Sequence, residues 1–548
     1  MATLILGPVL RYVGDTEATV WVETDAACEV EVLGHRGATF GVEGHHYALV
    51  CIEGLEPGAT QEYELRLDGE PAWPLSESDL PPSTVRTIER GRPVEIAFGS
   101  CRVALPHRKP YTLPKDEHDE GREFDALYTL AEELLERPRE RWPDLLLLLG
   151  DQVYVDEGSP AVREHIRATR DANEPPGEEV ANFEEYTRLY HESWGDPVIR
   201  WLLSTVSSAM VIDDHDMHDD WNISRAWRED MEREPWWRER EVSGLVSYWI
   251  YQHIGNLAPE VLAEHDLYQR VRAADDAGPV LREFADRDRN QHEGARWSFC
   301  RDLGANRLMV TDDRTGRVLR EDRRSIFDDH EWDWIQEHAV GGFDHFVIAT
   351  TDPFLLAPGL HYLEAWSEAV CDGAWGAAAA RLGERVRRAL DLDHWAAFGK
   401  SFDSLARLLE DLGSGRRGEP PASIAILSGD VHHAYLAEVG FRRGSRVRSG
   451  VWQAVCSPFR NALDSHEEHM IAFALSPAGR AVGRALARAA GARDPDIGWR
   501  FREGPFYDNQ VATLRLDGRE ASVRLEKTVG DPESDRRELE VVFERELT

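Results

Sequence analysis

Apolar and polar positions alternate through the first part of the chain, as in Ala18-Thr19-Val20-Trp21-Val22-Glu23 and Glu29-Val30-Glu31-Val32. A period of two predicts half-buried strands. Leu55-Glu56-Pro57-Gly58 followed by Tyr63-Glu64-Leu65-Arg66-Leu67 predicts a tyrosine corner, in which the phenol ties a strand to the preceding loop. Residues 1–90 are therefore expected to be a small all-β sandwich, fibronectin-III- or immunoglobulin-like, with no catalytic residue. The Arg- and Glu-rich stretch from Thr87 to Pro93 is the expected junction.

From Val94 the pattern changes. Four continuous apolar runs stop abruptly at polar residues. Val94-Glu95-Ile96-Ala97-Phe98 runs into Gly99-Ser100-Cys101-Arg102, and Leu145 to Leu149 into Gly150-Asp151-Gln152-Val153-Tyr154. Ala209-Met210-Val211-Ile212 runs into Asp213-Asp214-His215-Asp216, and Ile424-Ala425-Ile426-Leu427 into Ser428-Gly429-Asp430-Val431-His432-His433. Runs of this length suit strands buried on both faces. Helical stretches intervene, from Glu123 to Glu136 and from Ala377 to Asp391. The latter carries Arg381, Glu384, Arg385 and Arg388 on a polar face. Near the end, Gln510 to Leu516 and Glu520 to Leu525 flank Asp517-Gly518-Arg519, a hairpin signal. Parallel core strands closed by an antiparallel hairpin predict an α/β class, a two-sheet α/β/β/α sandwich over residues 91–548.

In open α/β sheets, ligands lie beyond the carboxyl ends of the strands. The four ends thus offer Cys, Asp, Tyr and His to one crevice. A carboxylate can bridge two cations, roughly 3.5–4 Å apart in two-metal hydrolases. Thiolate and phenolate suit a trivalent or borderline cation, and carboxylates suit hard divalent ions. The mixture predicts two different metals. Taken singly, each residue has a plainer reading. Cys101 could be a small buried hydrophobe, Asp151 a helix cap, Tyr154 a core aromatic and His432 a satisfied core histidine. The fourfold recurrence of the pattern favours a site.

The Ser-Cys-Arg, Gly-Asp-Gln-Val-Tyr, Asp-Asp-His and Ser-Gly-Asp-Val-His segments, in this order, resemble those of the alkaline phosphatase D (PhoD-like) metallophosphatases, within the calcineurin-like phosphoesterases. The resemblance spans roughly residues 1 to 530. It implies that Cys101, Asp151, Tyr154 and His432 hold a ferric ion, and that Asp151, Asp214 and Asp430 reach one or two divalent cations, calcium in this family. It implies hydrolysis of a phosphate ester by metal-activated hydroxide, with Asp151 bridging and His215 protonating the leaving oxygen. Arg102 and Arg314 are the candidates for substrate binding. Two departures stand out. Asp216 replaces a Glu, and Asp219-Asp220 stand where relatives carry asparagines. Thr311-Asp312-Asp313-Arg314 matches the family's Leu-Asp-Thr-Arg only in part. An exposed turn arginine is the plainer reading of Arg314.

Composition narrows the partners. Among 548 residues, 101 are acidic and 63 basic, for a formal net charge of −38. No basic cluster is present to bind a nucleic-acid backbone. No stretch reaches the ~18 apolar residues of a membrane span. The beginning of the sequence lacks a basic, apolar signal pattern. A cytoplasmic enzyme acting on a small phosphate ester is expected. Six cysteines show no CxxC spacing and no disulfide framework. Trp221, Trp227, Trp236, Trp237, Trp249 and Trp297 mark an insertion at about 221–297. They are read as the core of a helical cap, or else as a platform for an aryl leaving group. The helix from about Ser476 to Ala490 is a second candidate to cover the opening. Two other classes stay open: a metal-dependent hydrolase of non-phosphate esters, and a non-catalytic partner-binding protein with a vestigial metal site.

Overall fold

The computed structural model describes residues 1–291, 296–463, 465–532 and 536–548. The pentaleucine strand Leu145–Leu149 shows how the layers form. All five side chains are buried, and successive ones face opposite sides of the sheet. Leu145, Leu147 and Leu149 enter a core shared by two sheets, whereas Leu146 and Leu148 enter a core shared with helices. Burying each leucine fully contributes about 1.5–3 kcal/mol.

The strand belongs to a six-stranded sheet. Its order is Ser207–Val211, Leu145–Leu149, Val94–Gly99, Gln510–Asp517, Glu520–Asp531 and Arg536–Glu546. The first three are parallel, and the last three close the sheet antiparallel. Asp517 pairs with Glu520 across the expected hairpin turn. A seven-stranded sheet contains Asn306–Val310, His345–Ala349, Ser423–Ser428 and Gly450–Val455 as successive parallel neighbours. Ala425 and Leu427 of this sheet share the inter-sheet core, and Ile424 and Ile426 pack outward against Phe402, Leu405 and Leu409 of helix Gly399–Ser414. Helices therefore cover the outer sides of two sheets packed on each other.

Residues 4–86 form two four-stranded sheets around their own core, with a short pair, Thr60–Glu62 and Thr84–Arg86, beside them. Their attachment differs from the expectation. Leu6, Val9, Trp21, Tyr47 and Leu49 of one sheet lie in the same core as Trp194, Trp201 and Tyr251 of the remainder. The Tyr63 hydroxyl does not tie down its own loop. It donates to the Ser204 carbonyl at 2.7 Å, at the end of helix Pro197–Thr205. Arg11 is fully buried and donates to the Gln252 carbonyl and to Asn256 Oδ1 at 3.1 Å. The N-terminal sandwich shares the main core.

The tryptophan-rich insertion forms helices, including Trp237–Ser247, which continues into a π-helical turn, Tyr248–His253. Trp221, Trp227, Trp237, Trp249 and Trp297 are buried in the shared core, and only Trp236 is half-exposed. This supports the structural reading of the cap. Helix Pro477–Ala489 packs on helix Pro358–Cys371. No helix among the described residues is long and apolar enough to cross a membrane.

A polar contact at the sandwich boundary depends on pH. His45 Nδ1 lies 3.0 Å from buried Glu23 Oε1, and its Nε2 lies 2.8 Å from Glu184 Oε2. A carboxylate only accepts, so both ring nitrogens donate and the ring is cationic. Glu23 also meets His191 Nε2 at 2.9 Å and the Tyr251 hydroxyl at 2.9 Å. Burial opposes the charge on His45, but Glu23 and Glu184 raise its pKa above the ordinary value. A raised folded-state pKa gives stability that is complete below the unfolded value and is lost as pH rises through the folded one. The melting temperature is therefore expected to fall as pH rises through the elevated His45 pKa, and His45→Gln is expected to remove that step. Thermal unfolding across a pH series checks this, and an identical step in the variant contradicts it.

Candidate metal centre

Three parallel strands of one sheet and four of the other end at the same edge of the inter-sheet core. Their carboxyl ends carry Cys101, Asp151, Asp213-Asp214, Arg314, Asp352 and Asp430 with His432. Convergence needs small residues at the closest approaches. Gly150 has φ +92°, and a Cβ there would lie 2.4 Å from Asp213 Cβ. A Cβ on Gly429 would lie 2.2 Å from Ser100 Oγ.

Four donors occupy backbone that L-residues rarely adopt. Cys101, Asp151, Asp430 and His432 have φ of 55°, 52°, 64° and 50°. Left-handed non-glycine residues cost about 1–3 kcal/mol each, and such strain clusters at functional sites. The polar surroundings hold them there. Ser100 Oγ accepts from the Asp430 amide at 2.9 Å, and Ser457 Oγ accepts from the His432 amide at 3.2 Å. Both hydroxyls sit 3.1 Å from Cys101 Sγ.

The donors fall into two overlapping groups. Ligand atoms of Cys101, Asp151 and His432 all lie within 4.8 Å of one another, and so do those of Asp151, Asp214 and His215. Asp151 is common to both. The Tyr154 hydroxyl is 3.3 Å from Asp151 Oδ2 and is bonded by Asn461 Nδ2 at 3.3 Å. A third group joins Asp213, Asp352 and Asp430.

The residues fit a cation. Asp151 Oδ1 and Asp213 Oδ2 are buried without a hydrogen-bond partner. Burial, with Asp214, Asp216 and Asp430 nearby, pushes the Asp151 carboxyl well above its usual range. Burial and then Asp151 and Asp430 do the same to the Cys101 thiol, and burial and Asp151 to the Tyr154 phenol. Burial lowers His432 to about 3, so it presents a neutral imidazole. A bound cation relieves the repulsion among the acids and needs a neutral histidine.

His215, a member of the second group, is held by its own partners. Its Nδ1 lies 3.1 Å from Asp156 Oδ1, and its ring packs 4.5 Å from that of Tyr154. Burial opposes the imidazolium, but Asp156, Asp214 and Asp151 raise the His215 pKa well above the ordinary value. The departures noted in sequence now have places. Asp216 accepts from the amides of Val153 at 3.1 Å and Asp213 at 3.0 Å, bracing the turn that carries Asp214 and His215. The Asp220 amide donates to Asp214 Oδ2 at 3.2 Å, and the Asp219 amide to Asp156 Oδ2 at 2.8 Å. The Asp219 side chain is 64% exposed at the mouth.

The two substrate-binding candidates lie elsewhere than expected. Arg102 donates from Nε to buried Asp125 at 2.8 Å and from Nη1 to the Ser193 carbonyl at 2.7 Å. It is committed to the fold. Arg314 is neither an exposed turn residue nor open to a substrate. It is 1% exposed and centres a nest of carboxylates. It pairs with Asp213, with Asp393 at 2.6 Å and with Asp352 at 2.9 Å, and Nη2 lies 3.5 Å from Asp430 and 3.8 Å from Asp214.

Sequence reading also missed Asp156, Asp352, Asp393, His394 and Glu364. Asp352 had a signal: the apolar run His345–Ala349 stops at Thr350-Thr351-Asp352, the same pattern as the other four. Asp393, His394 and Glu364 come from a loop and a helix, where no run marks them.

Among comparisons with known proteins, a family model described as PhoD-like phosphatase matches residues 123–281. A second model, described only as a domain of unknown function, matches residues 1–85. A solved structure titled as that of PhoD covers 99% of this chain and 92% of its own, at 12% identity and a TM-score of 0.60. A purple acid phosphatase from yellow lupin (Lupinus luteus) seeds covers 98% of this chain and 73% of its own, at 10% identity and a TM-score of 0.48. No curated protein matches. The chain thus shares the fold of the PhoD structure. Within that fold, residues 123–281 are similar to a PhoD-like phosphatase.

Removing the centre of the carboxylate nest should be costly. Arg314→Ala leaves several buried carboxylates uncompensated, and breaking such pairs costs about 3–5 kcal/mol. Denaturant unfolding is expected to show a loss of this order, and a loss below about 1 kcal/mol contradicts the geometry, because exposed pairs are worth no more than that.

Proposed function

We propose that the protein hydrolyses phosphate esters, with Cys101, Asp151, Tyr154 and His432 holding a ferric ion and Asp151, Asp214 and Asp430 holding divalent cations, calcium among them. The observation that carries this reading is the convergence of thiol, phenol, carboxylates and neutral imidazole on Asp151, four of the donors being in left-handed backbone. The bound cations would supply Lewis-acid charge and lower the pKa of a coordinated water.

The chain's own residues do the rest. The Asp151 carboxylate serves both donor groups and so keeps them in register. Asp156 accepts from His215 Nδ1–H and fixes the ring, which leaves the proton on Nε2 free for the leaving oxygen. Tyr154, packed on the ring, limits its rotation. No Ser or Cys nucleophile is required, since Cys101 is a donor to the cluster. Domain roles follow the same reading. Residues 91–548 supply all the named groups, and residues 1–90 supply none but share the core on which Gln252 and Asp216 rest. Gln252 Nε2 lies 3.4 Å from Asp216 Oδ1, and the Gln252 carbonyl accepts from Arg11. The finer description of the fold, a calcineurin-like sandwich behind a fibronectin-III- or immunoglobulin-like one, accords with this layout.

Chromogenic phosphate monoesters and diesters are expected to be hydrolysed, and a matched carboxylic ester not. Asp151→Asn is expected to abolish turnover and to lower the content of both metals. His215→Ala is expected to keep the metals and to lower kcat by about 10²- to 10⁴-fold, most for poor leaving groups. Hydrolysis of the carboxylic ester alone, or an active Asp151→Asn with normal metal content, overturns the reading.

A further inference from the structure

The cluster faces a second oriented imidazole, that of His394. His394 lies in the loop after helix Ala377–Ala389. Its neighbour Asp393 pins that loop, accepting from Arg314 Nη1 at 2.6 Å and Arg317 Nη1 at 2.8 Å. His394 then turns the other way. Its Nδ1 is 2.7 Å from Glu364 Oε1, and its Nε2 is 3.2 Å from Asp430 Oδ2. Both partners are carboxylates, which accept only, so both ring nitrogens donate.

Glu364 is 1% exposed on helix Pro358–Cys371, and its Oε2 has no hydrogen-bond partner. Burying a carboxylate is costly, and the side-chain hydrogen bond this one makes is to His394. What Glu364 does is aim His394. What His394 reaches is Asp430. The other oxygen of Asp430, Oδ1, faces Arg314 Nη2 at 3.5 Å. Each oxygen of this carboxylate is thus addressed by a different side chain, which fixes its rotation about the Cβ–Cγ bond. Its backbone is fixed as well, by Ser100 at the amide and by Cys101 Sγ, 3.3 Å from its carbonyl oxygen.

We infer that His394, aimed by Glu364, is a positioning residue that sets the orientation of the Asp430 carboxylate and thereby the affinity of the site for its divalent cation. This rests on the metal-dependent reading given above. Groups that orient a metal ligand from outside typically change metal affinity by about 10–100-fold when removed. Arg314 orients Asp430 too, but it also holds Asp213, Asp352 and Asp393, so its loss disturbs the whole nest. His394 touches the nest through Asp430 and through a longer 4.0 Å approach to Asp393, and so acts more locally.

The test is a calorimetric titration of the full-length chain with calcium, after a chelator has removed divalent cations, alongside elemental analysis for iron and thermal unfolding. His394→Ala is expected to weaken calcium binding about 10–100-fold while iron content stays at the wild-type level. Glu364→Gln should weaken it as well, because the ring remains but is no longer aimed. His394→Gln, which keeps one donor and similar volume, should fall between His394→Ala and wild type, and it serves if the alanine variant aggregates. At saturating calcium, kcat should return towards wild type, which a group acting on the substrate would not allow. A merely structural role would lower the melting temperature without changing calcium affinity. The inference is overturned if wild type binds no calcium, or if the His394 and Glu364 variants bind it as wild type does. A wild-type chain that hydrolyses no phosphate ester sinks the functional reading instead, and the titration still decides the role of His394.

Discussion

Six aspartates, residues 151, 213, 214, 352, 393 and 430, crowd the strand ends of this protein, all largely buried, and mutual repulsion is the constraint the rest of the site answers. Ionised carboxylates are expensive to bury without partners. One arginine, Arg314, reaches five of them, and Arg317 and His394 add further positive charge. Asp151 is the one that Arg314 does not reach. It is also the one shared by the thiol–imidazole group and the Asp214–His215 group, and its Oδ1 has no partner. The fold thus supplies cations of its own on one side of the cluster and leaves the other side complementary to added metal.

The sheets make this arrangement affordable in conformational terms. Parallel strands buried on both faces end together, so donors far apart in sequence arrive at one edge without long ordered loops. Gly150 and Gly429 admit the close approach, and the strained donors are held by Ser100, Ser457 and Asp216. The N-terminal sandwich enters indirectly, through Arg11 and the π-helical turn that carries Gln252.

Much of this was legible in the chain. A buried strand leaves a continuous apolar run, and its end is marked by the first polar residues, so Cys101, Asp151, Tyr154, Asp214, Asp430 and His432 could be named before any coordinates. The hairpin at Gly518 and the helix capped by Ser476 were equally visible, because turn and cap chemistry are local. What sequence could not give is direction. Arg102 adjoins Cys101 in the chain, yet its side chain departs to Asp125. Tyr63 has the spacing of a tyrosine corner, yet its hydroxyl reaches another part of the core. His394 and Glu364 carry no local pattern, because their meaning comes from tertiary packing alone. Arg314 seemed a turn residue because its five partners lie far away in sequence.

The central claim is that the strand ends hold a mixed metal centre built on Asp151. Elemental analysis of the purified protein, combined with its visible absorption spectrum, tests it most directly. The account predicts iron together with a divalent cation, and a visible phenolate-to-iron charge-transfer band that disappears in Tyr154→Phe. A colourless, iron-free and fully active protein would contradict it.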